Sequence, residues 1–135
     1  MKLIDLHCDT VMKLMEDPKR RLLANDCAID LKKLDEAHSM AQVFALFVDM
    51  GEVNSPLKAG LDMLDHFWME LEQNQDQIKL ATNGHDLRQN ELAGKKSAML
   101  AIEEGGVLEG YIGNLHSFYR QGVRFVTLTW NYPNE

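Results

Sequence analysis

Scarcities in this sequence narrow its function before any motif is considered. Cysteine occurs only twice in 135 residues, at Cys8 and Cys27, without the spacing of a zinc finger or the density of a disulfide scaffold. Reduced thiols in a cytoplasmic protein are the expectation. Basic charge is also short: Lys plus Arg number 14 against 21 for Asp plus Glu, a net charge of -7. The largest basic cluster is Lys19-Arg20-Arg21. A surface of that sign repels phosphate, which argues against nucleic acid and anionic membrane as partners. No apolar run reaches the ~18 residues of a membrane span, and no basic segment followed by a signal-length apolar stretch opens the chain. A soluble, unexported protein is therefore expected. Gly-x-Gly-x-x-Gly is missing as well, which removes the dinucleotide fingerprint.

The length suits one domain, and 45% hydrophobic residues are enough to fill a core. The apolar segments alternate in kind. Residues Met1 to Thr10 read as a short strand ending in His7-x-Asp9, with Asp5, His7 and Asp9 on one face and Ile4 and Leu6 on the other. Cys8 points away from His7 and is read as a packing residue. Met40 to Asp49 is nearly continuous in apolar residues, as a parallel strand covered on both faces requires. Gln42 interrupts it, either as a satisfied core amide or as a group lining a site. Ser97 to Ile102 is a third strand, leaving through Glu103-Glu104-Gly105-Gly106, and Val123 to Thr129 is a fourth, running into Trp130-Asn131-Tyr132. Ile78 to Ala81 is a short apolar piece suited to pairing at an edge.

Helical spacing fills the intervals. Thr10 to Glu16 is stopped by Asp17-Pro18, and Lys19 to Asn25 reads as a solvated connection. Asp30 to Glu36 forms a short helix. The longest runs from Leu57 to about Asn74, with Ser55 as N-cap, Pro56 at its first position, and Leu57, Leu61, Leu64, Phe67, Trp68 and Leu71 as the core stripe. Asn83 caps a helix through Leu92 that Gly94 ends. Glu109 to Arg120 is the last, closed by Gly122, with Ile112, Leu115, Phe118 and Tyr119 on one side. His66, His85 and His116 fall on charged flanks and read as boundary or surface residues.

Strands alternating with amphipathic helices predict an α/β fold with a parallel sheet, whose ligands collect at the carboxyl ends of strands. His7, Asp9, Glu103 and Trp130 all fall there. An imidazole and carboxylates converging at one place suit zinc, which accepts both at about 2.0–2.2 Å. Two carboxylates where a buried strand emerges are costly unless paired or bound to metal. The competing reading is an amphipathic strand with an exposed His and Asp, and the shared strand-end location weighs against it. A (β/α)8 barrel usually takes about 250 residues, so residues 1–135 are expected to be the N-terminal portion of a single barrel domain.

Three motifs, His7-x-Asp9, Ile102-Glu103-Glu104-Gly105-Gly106 and Gly122-Val-Arg-Phe-Val-Thr-Leu-Thr129, together resemble the membrane (renal) dipeptidase family of zinc peptidases, in order and over the whole 135 residues. The resemblance implies a TIM barrel of the metal-dependent hydrolase type. It implies hydrolysis of dipeptides by a bridging water that two zinc ions activate, with His7 and Asp9 as ligands of the first ion and a glutamate bridging both. That family reads Ile/Val-Glu-Gly-Gly. An ungapped alignment through Thr129 selects Glu103 and sets Glu104 at a glycine position, whereas alignment on Gly105-Gly106 selects Glu104 and forces a gap. The first is preferred, making Glu103 the expected bridging and catalytic residue. Trp130, Asn131 and Tyr132 are the expected substrate-pocket residues.

Two departures matter. A histidine commonly follows Leu-Thr in the family, and Trp130 stands there instead, unable to accept a proton or ligate zinc. The family's two further histidine ligands lie in its C-terminal half, and none of His38, His66, His85 or His116 sits in a matching motif. Two alternatives follow. One is a non-catalytic fragment or interaction module keeping the half-barrel, completed as a homo-oligomer or by a C-terminal half. The other is a related metal-dependent amidohydrolase acting on a different amide.

Overall fold

Strands that are apolar on both faces call for cover on both, and the chain builds one parallel sheet with helices packed along one face and a cleft on the other. The computed structural model describes residues 2–134. Its elements are β1 (Leu3–Asp5), α1 (Thr10–Glu16), α2 (Leu31–Glu36), β2 (Ser39–Leu46), α3 (Pro56–Gln73), β3 (Ile78–Leu80), α4 (Gly84–Leu92), β4 (Lys96–Ile102), a 3₁₀ turn (Gly105–Leu108), α5 (Ile112–Arg120) and β5 (Val123–Val126). Every strand pair is parallel. β2 lies between β1 and β4, and runs beside β4 from Ala41↔Ser97 to Leu46↔Ile102. The far edge of β4 is shared: β3 pairs with its first half and β5 with its second.

Apart from the short β3, strands are therefore laid down in chain order, β1-β2-β4-β5. Such one-directional winding belongs to barrels, whereas doubly wound sheets reverse direction at a switch point. The α/β class expected from the sequence is thus present, and Ile78–Leu80 does pair at an edge. Apolar side chains stay exposed at both ends of the curve, Leu3, Ile4 and Leu6 beside β1 and Phe125 and Leu128 at β5. Among the described residues no helix is long and apolar enough to cross a membrane.

Strand parity decides what faces what. Phe44, Leu46 and Val48 from β2 and its exit, with Ala98, Leu100 and Ile102 of β4, join Val11, Leu14, Leu64, Phe67 and Leu71 in the helix-covered core. Phe44 and Phe67 meet at 5.6 Å between ring centroids. Val43, Ala45, Ala101 and Glu103, of opposite parity, line a cleft on the other face. Gln42 shares the parity of Phe44 and is fully buried, its Nε2 donating to the Val43 carbonyl at 3.0 Å. It is a core amide, not a group lining the cleft, but only half satisfied, since its Oε1 is buried without a hydrogen-bond partner among the described residues.

Several boundaries differ from the sequence expectation. β2 and β5 end at Leu46 and Val126, short of Asp49 and Thr129, because the chain turns there to form the loops above the sheet. The last helix begins at Ile112 and not at Glu109, since Gly105–Leu108 makes a 3₁₀ turn that leaves Glu109 left-handed at φ 51°. Of its expected apolar side only Phe118 is fully buried, while Ile112 and Tyr119 are exposed. Ser55 is the N-cap residue of α3 by position but makes no capping bond; Glu109 Oε1 accepts from the Leu57 amide instead, at 3.1 Å. Leu61 is exposed, and Gly60 takes its place against Val107 and Phe118. The Lys19–Asn25 connection is not simply solvated. Leu22 is buried, and its amide donates to Oε2 of the buried Glu70 at 2.6 Å.

Asp30, expected as the first residue of the short helix, is instead its N-cap. Its carboxylate caps α2 by accepting from the Lys33 amide at 2.8 Å, takes the Asn25 amide at 3.1 Å, and pairs with Lys33 Nζ. Burial pushes its pKa up, but the Lys33 side chain and the two amides together outweigh that and hold the carboxyl below the usual range. A lowered folded value means that the contribution is complete above the unfolded pKa of ~3.9 and vanishes as pH falls through the folded one. Asp30→Ala should therefore cost about 1–2 kcal/mol at neutral pH, read as a lower urea midpoint. The gap between wild type and variant should close as the titration is carried into acid.

Candidate metal centre

β1 ends at Asp5, yet the chain stays beside β2 because the Ala45 amide donates to the Cys8 carbonyl at 2.9 Å. The His7 amide donates to Asp5 Oδ1, which holds the exit turn. Alternation then turns Cys8 into the core and His7 and Asp9 outward. Burial pushes the Cys8 thiol up to about 11, so it packs as a small hydrophobe and is not a nucleophile at neutral pH. Cys27 is free as well.

Glu103 arrives from the end of β4, its amide bonded to the Leu46 carbonyl while Thr127 N–H binds the Ile102 carbonyl. Ligand atoms of His7, Asp9 and Glu103 all lie within 4.8 Å of one another. His7 Nε2 stands 3.2 Å from Asp9 Oδ1 and 3.4 Å from Glu103 Oε2. The second contact lacks hydrogen-bond geometry, and Glu103 Oε2 is buried with no hydrogen-bond partner among the described residues. Burial pushes the Glu103 carboxyl above the ordinary range; His7 opposes this and the nearby Asp9 carboxyl adds to it. A buried, orphaned carboxylate oxygen beside a second carboxylate and an imidazole lacks positive charge, and a divalent cation is the group that fits. One nitrogen and two oxygen donors suit zinc and leave room for a further ligand.

The two adjacent glutamates have opposite fates. Glu104, of opposite parity, is 1% exposed and does not face His7. Its Oε1 accepts from the Gly106 amide at 2.9 Å and from Asn134 Nδ2, and its Oε2 from the Trp130 amide at 2.9 Å. Trp130, Asn131 and Tyr132 are exposed on the segment after β5. The Trp130 ring packs edgewise on Phe47 at 4.7 Å, and the Tyr132 hydroxyl lies against Gly51. These three residues stand over the strand ends without forming walls of the cleft of about 480 Å³ that holds His7 and Glu103. Its walls include Leu6, Val43, Ala45, Ala101, Phe125 and Thr127.

A second cleft, of about 610 Å³, opens on the other side of His7 and Asp9, and the sequence reading did not anticipate it. Lys13, Glu16, Arg20, Asp26, Cys27 and Ile29 contribute to it. Arg20 is fixed there by Asp26 at 2.7 Å and by the Lys13 carbonyl. The signal was available in the alternation of basic and acidic residues from Lys13 to Asp26, but only the fold shows that these pairs close on each other. Of the remaining histidines, His66 is half-buried and His38, His85 and His116 are exposed; none belongs to the three-residue cluster.

Comparison with known proteins bears on family and fold. Residues 1–135 match the family model described as membrane dipeptidase, peptidase family M19. The crystal structure of dipeptidase AC, an M19 metallopeptidase, superposes with a TM-score of 0.86 at 18% identity, covering 99% of this chain and 44% of that one. A metallopeptidase from Rhodobacter sphaeroides, solved with a phosphinate mimic of the dipeptide L-Ala-D-Ala, gives a TM-score of 0.84 at 16% identity, covering 97% and 46%. An amidohydrolase from Pseudomonas aeruginosa gives 0.67 at 17%, covering 77% and 30%. The chain thus spans less than half the length of each of these structures.

Proposed function

Because this chain belongs to the membrane dipeptidase family, peptidase family M19, we propose that the full protein is a zinc dipeptidase whose first metal is held by His7, Asp9 and Glu103. The observation that carries this reading is the buried, unpartnered Glu103 oxygen facing His7 and Asp9 at the strand ends. When bound, the metal supplies a Lewis acid for the scissile carbonyl and lowers the pKa of water. His7 would provide the nitrogen ligand through Nε2. Glu103 is the most enclosed of the three, and its fixed strand-end position suits the ligand we assign to bridge two ions. The apolar walls of the cleft, Leu6, Val43, Ala45, Ala101 and Phe125, suit the short aliphatic side chains of a dipeptide. Ligands for a second ion would come from residues outside 1–135, and Trp130, Asn131 and Tyr132 would border the substrate from above.

A second reading keeps the half-barrel as an interaction module without turnover. It is favoured by the apolar side chains exposed at β1 and β5 and by the outer edges of those strands, unpaired among the described residues. Elemental analysis together with hydrolysis of small dipeptides separates the two. Bound zinc, with turnover that a chelator abolishes and added zinc restores, is the expected result. Zinc without turnover selects the second reading, and a protein that takes up no zinc refutes the metal centre.

A further inference from the structure

We propose that Glu104 is a positioning residue: its buried carboxylate pins the Thr127–Asn134 segment across the carboxyl ends of β2 and β4, setting the border of the neighbouring site. The bearing on substrate rests on the dipeptidase reading; the pinning itself does not.

Glu104 takes part in no ion pair among the described residues, and its charge is met by neutral N–H donors alone. Hydrogen bonds to an ionised acceptor are the stronger kind, and a buried carboxylate is costly when any is lost. Two of the donors, the Trp130 amide and Asn134 Nδ2, come from the segment after β5, 26 and 30 residues away. The carboxylate therefore tolerates only one placement of that segment. Asn134 Nδ2 also reaches the Leu128 carbonyl at 2.9 Å, which closes the segment on itself. Gly105 brings β4's exit so near that a Cβ there would stand 2.4 Å from the same carbonyl oxygen. An apolar residue at position 104 would fill the space equally well, but would not direct the Trp130 amide.

Hydrogen exchange by NMR reads the proposal directly, because the amides of Gly106 and Trp130 are themselves the bonded donors. Glu104→Gln keeps the shape but turns an NH₂ toward a donor. Exchange at Trp130 should accelerate about tenfold or more, the factor carried by one lost hydrogen bond to a charged group, while Leu100 in β4 keeps its protection. Asn134→Ala, at the periphery, should produce a smaller acceleration at Trp130 and guards against a Gln variant that fails to fold. In protein that turns over, KM for a dipeptide should rise more than kcat falls, with zinc content unchanged. Unaltered Trp130 protection overturns the proposal. So does acceleration spread equally to Leu100, which means a general loss of stability, and an unchanged KM overturns the bearing on substrate. Absence of zinc and turnover removes the dipeptidase reading while the exchange result still decides the pinning.

Discussion

Glu103→Gln is expected to weaken zinc binding by at least about a hundredfold, because loss of even a partner outside the ligand shell costs about 10–100-fold. By the same scale the loss is roughly 2.7 kcal/mol or more. Dipeptide hydrolysis should fall with it, and calorimetric zinc titration alongside turnover provides the measurement. The metal-free fold should not suffer. Burial already pushes the Glu103 carboxyl up, and Asp9 crowds it, so a neutral amide relieves a penalty that the fold bears only for the site. Metal-free Glu103→Gln should melt at or above the wild-type temperature, while the rise that zinc gives the wild type is lost. A variant binding zinc as tightly as wild type would rule out Glu103 as a ligand.

Gly105→Ala should be the most damaging single methyl group in the chain. The added Cβ would stand 2.4 Å from the Leu128 carbonyl oxygen and 3.3 Å from its Cα. Backbone cannot swing aside, so either the exit of β4 or the segment after β5 must move. Overpacking of this kind costs about 1–3 kcal/mol, and the upper end is expected here because Glu104 ties the same two pieces together. Gly113 is the control. A Cβ there would lie 2.3 Å from Tyr111 Cε1, an even shorter approach, but the Tyr111 ring is exposed and free to rotate away. Gly113 also sits in the first turn of α5, where alanine gains at most about 1 kcal/mol of helix propensity. Urea unfolding should therefore place Gly105→Ala well below wild type and Gly113→Ala at or above it. Equal midpoints would show that the distance alone, and not the kind of atom met, sets the cost.

Much of the framework was legible because its signals are local. Asp17-Pro18 ends α1, and Asn83 caps α4 through bonds to amides two and three residues away. Gly94 and Gly122 close helices at positive φ, 70° and 103°. Where periodicity misled, a side chain met something distant. Leu61 has the spacing of a core residue yet is exposed, because α3 presses Gly60 against Val107 and Phe118. Ser55 is a good cap in isolation, but Glu109 reaches Leu57 from 52 residues on.

By itself, then, the sequence determined the succession of parallel strands and helices and the arrival of His7, Asp9 and Glu103 at strand ends. Those outcomes depend on side-chain alternation and helix caps, which act within a turn or two of chain. Only the tertiary structure decided which of two adjacent glutamates faces the site, where the Trp130 segment rests, and why Glu70 and Glu104 are buried with their charges satisfied. Their partners lie 48 and 26 residues away, and no local pattern names a partner that only the closing of the sheet brings near.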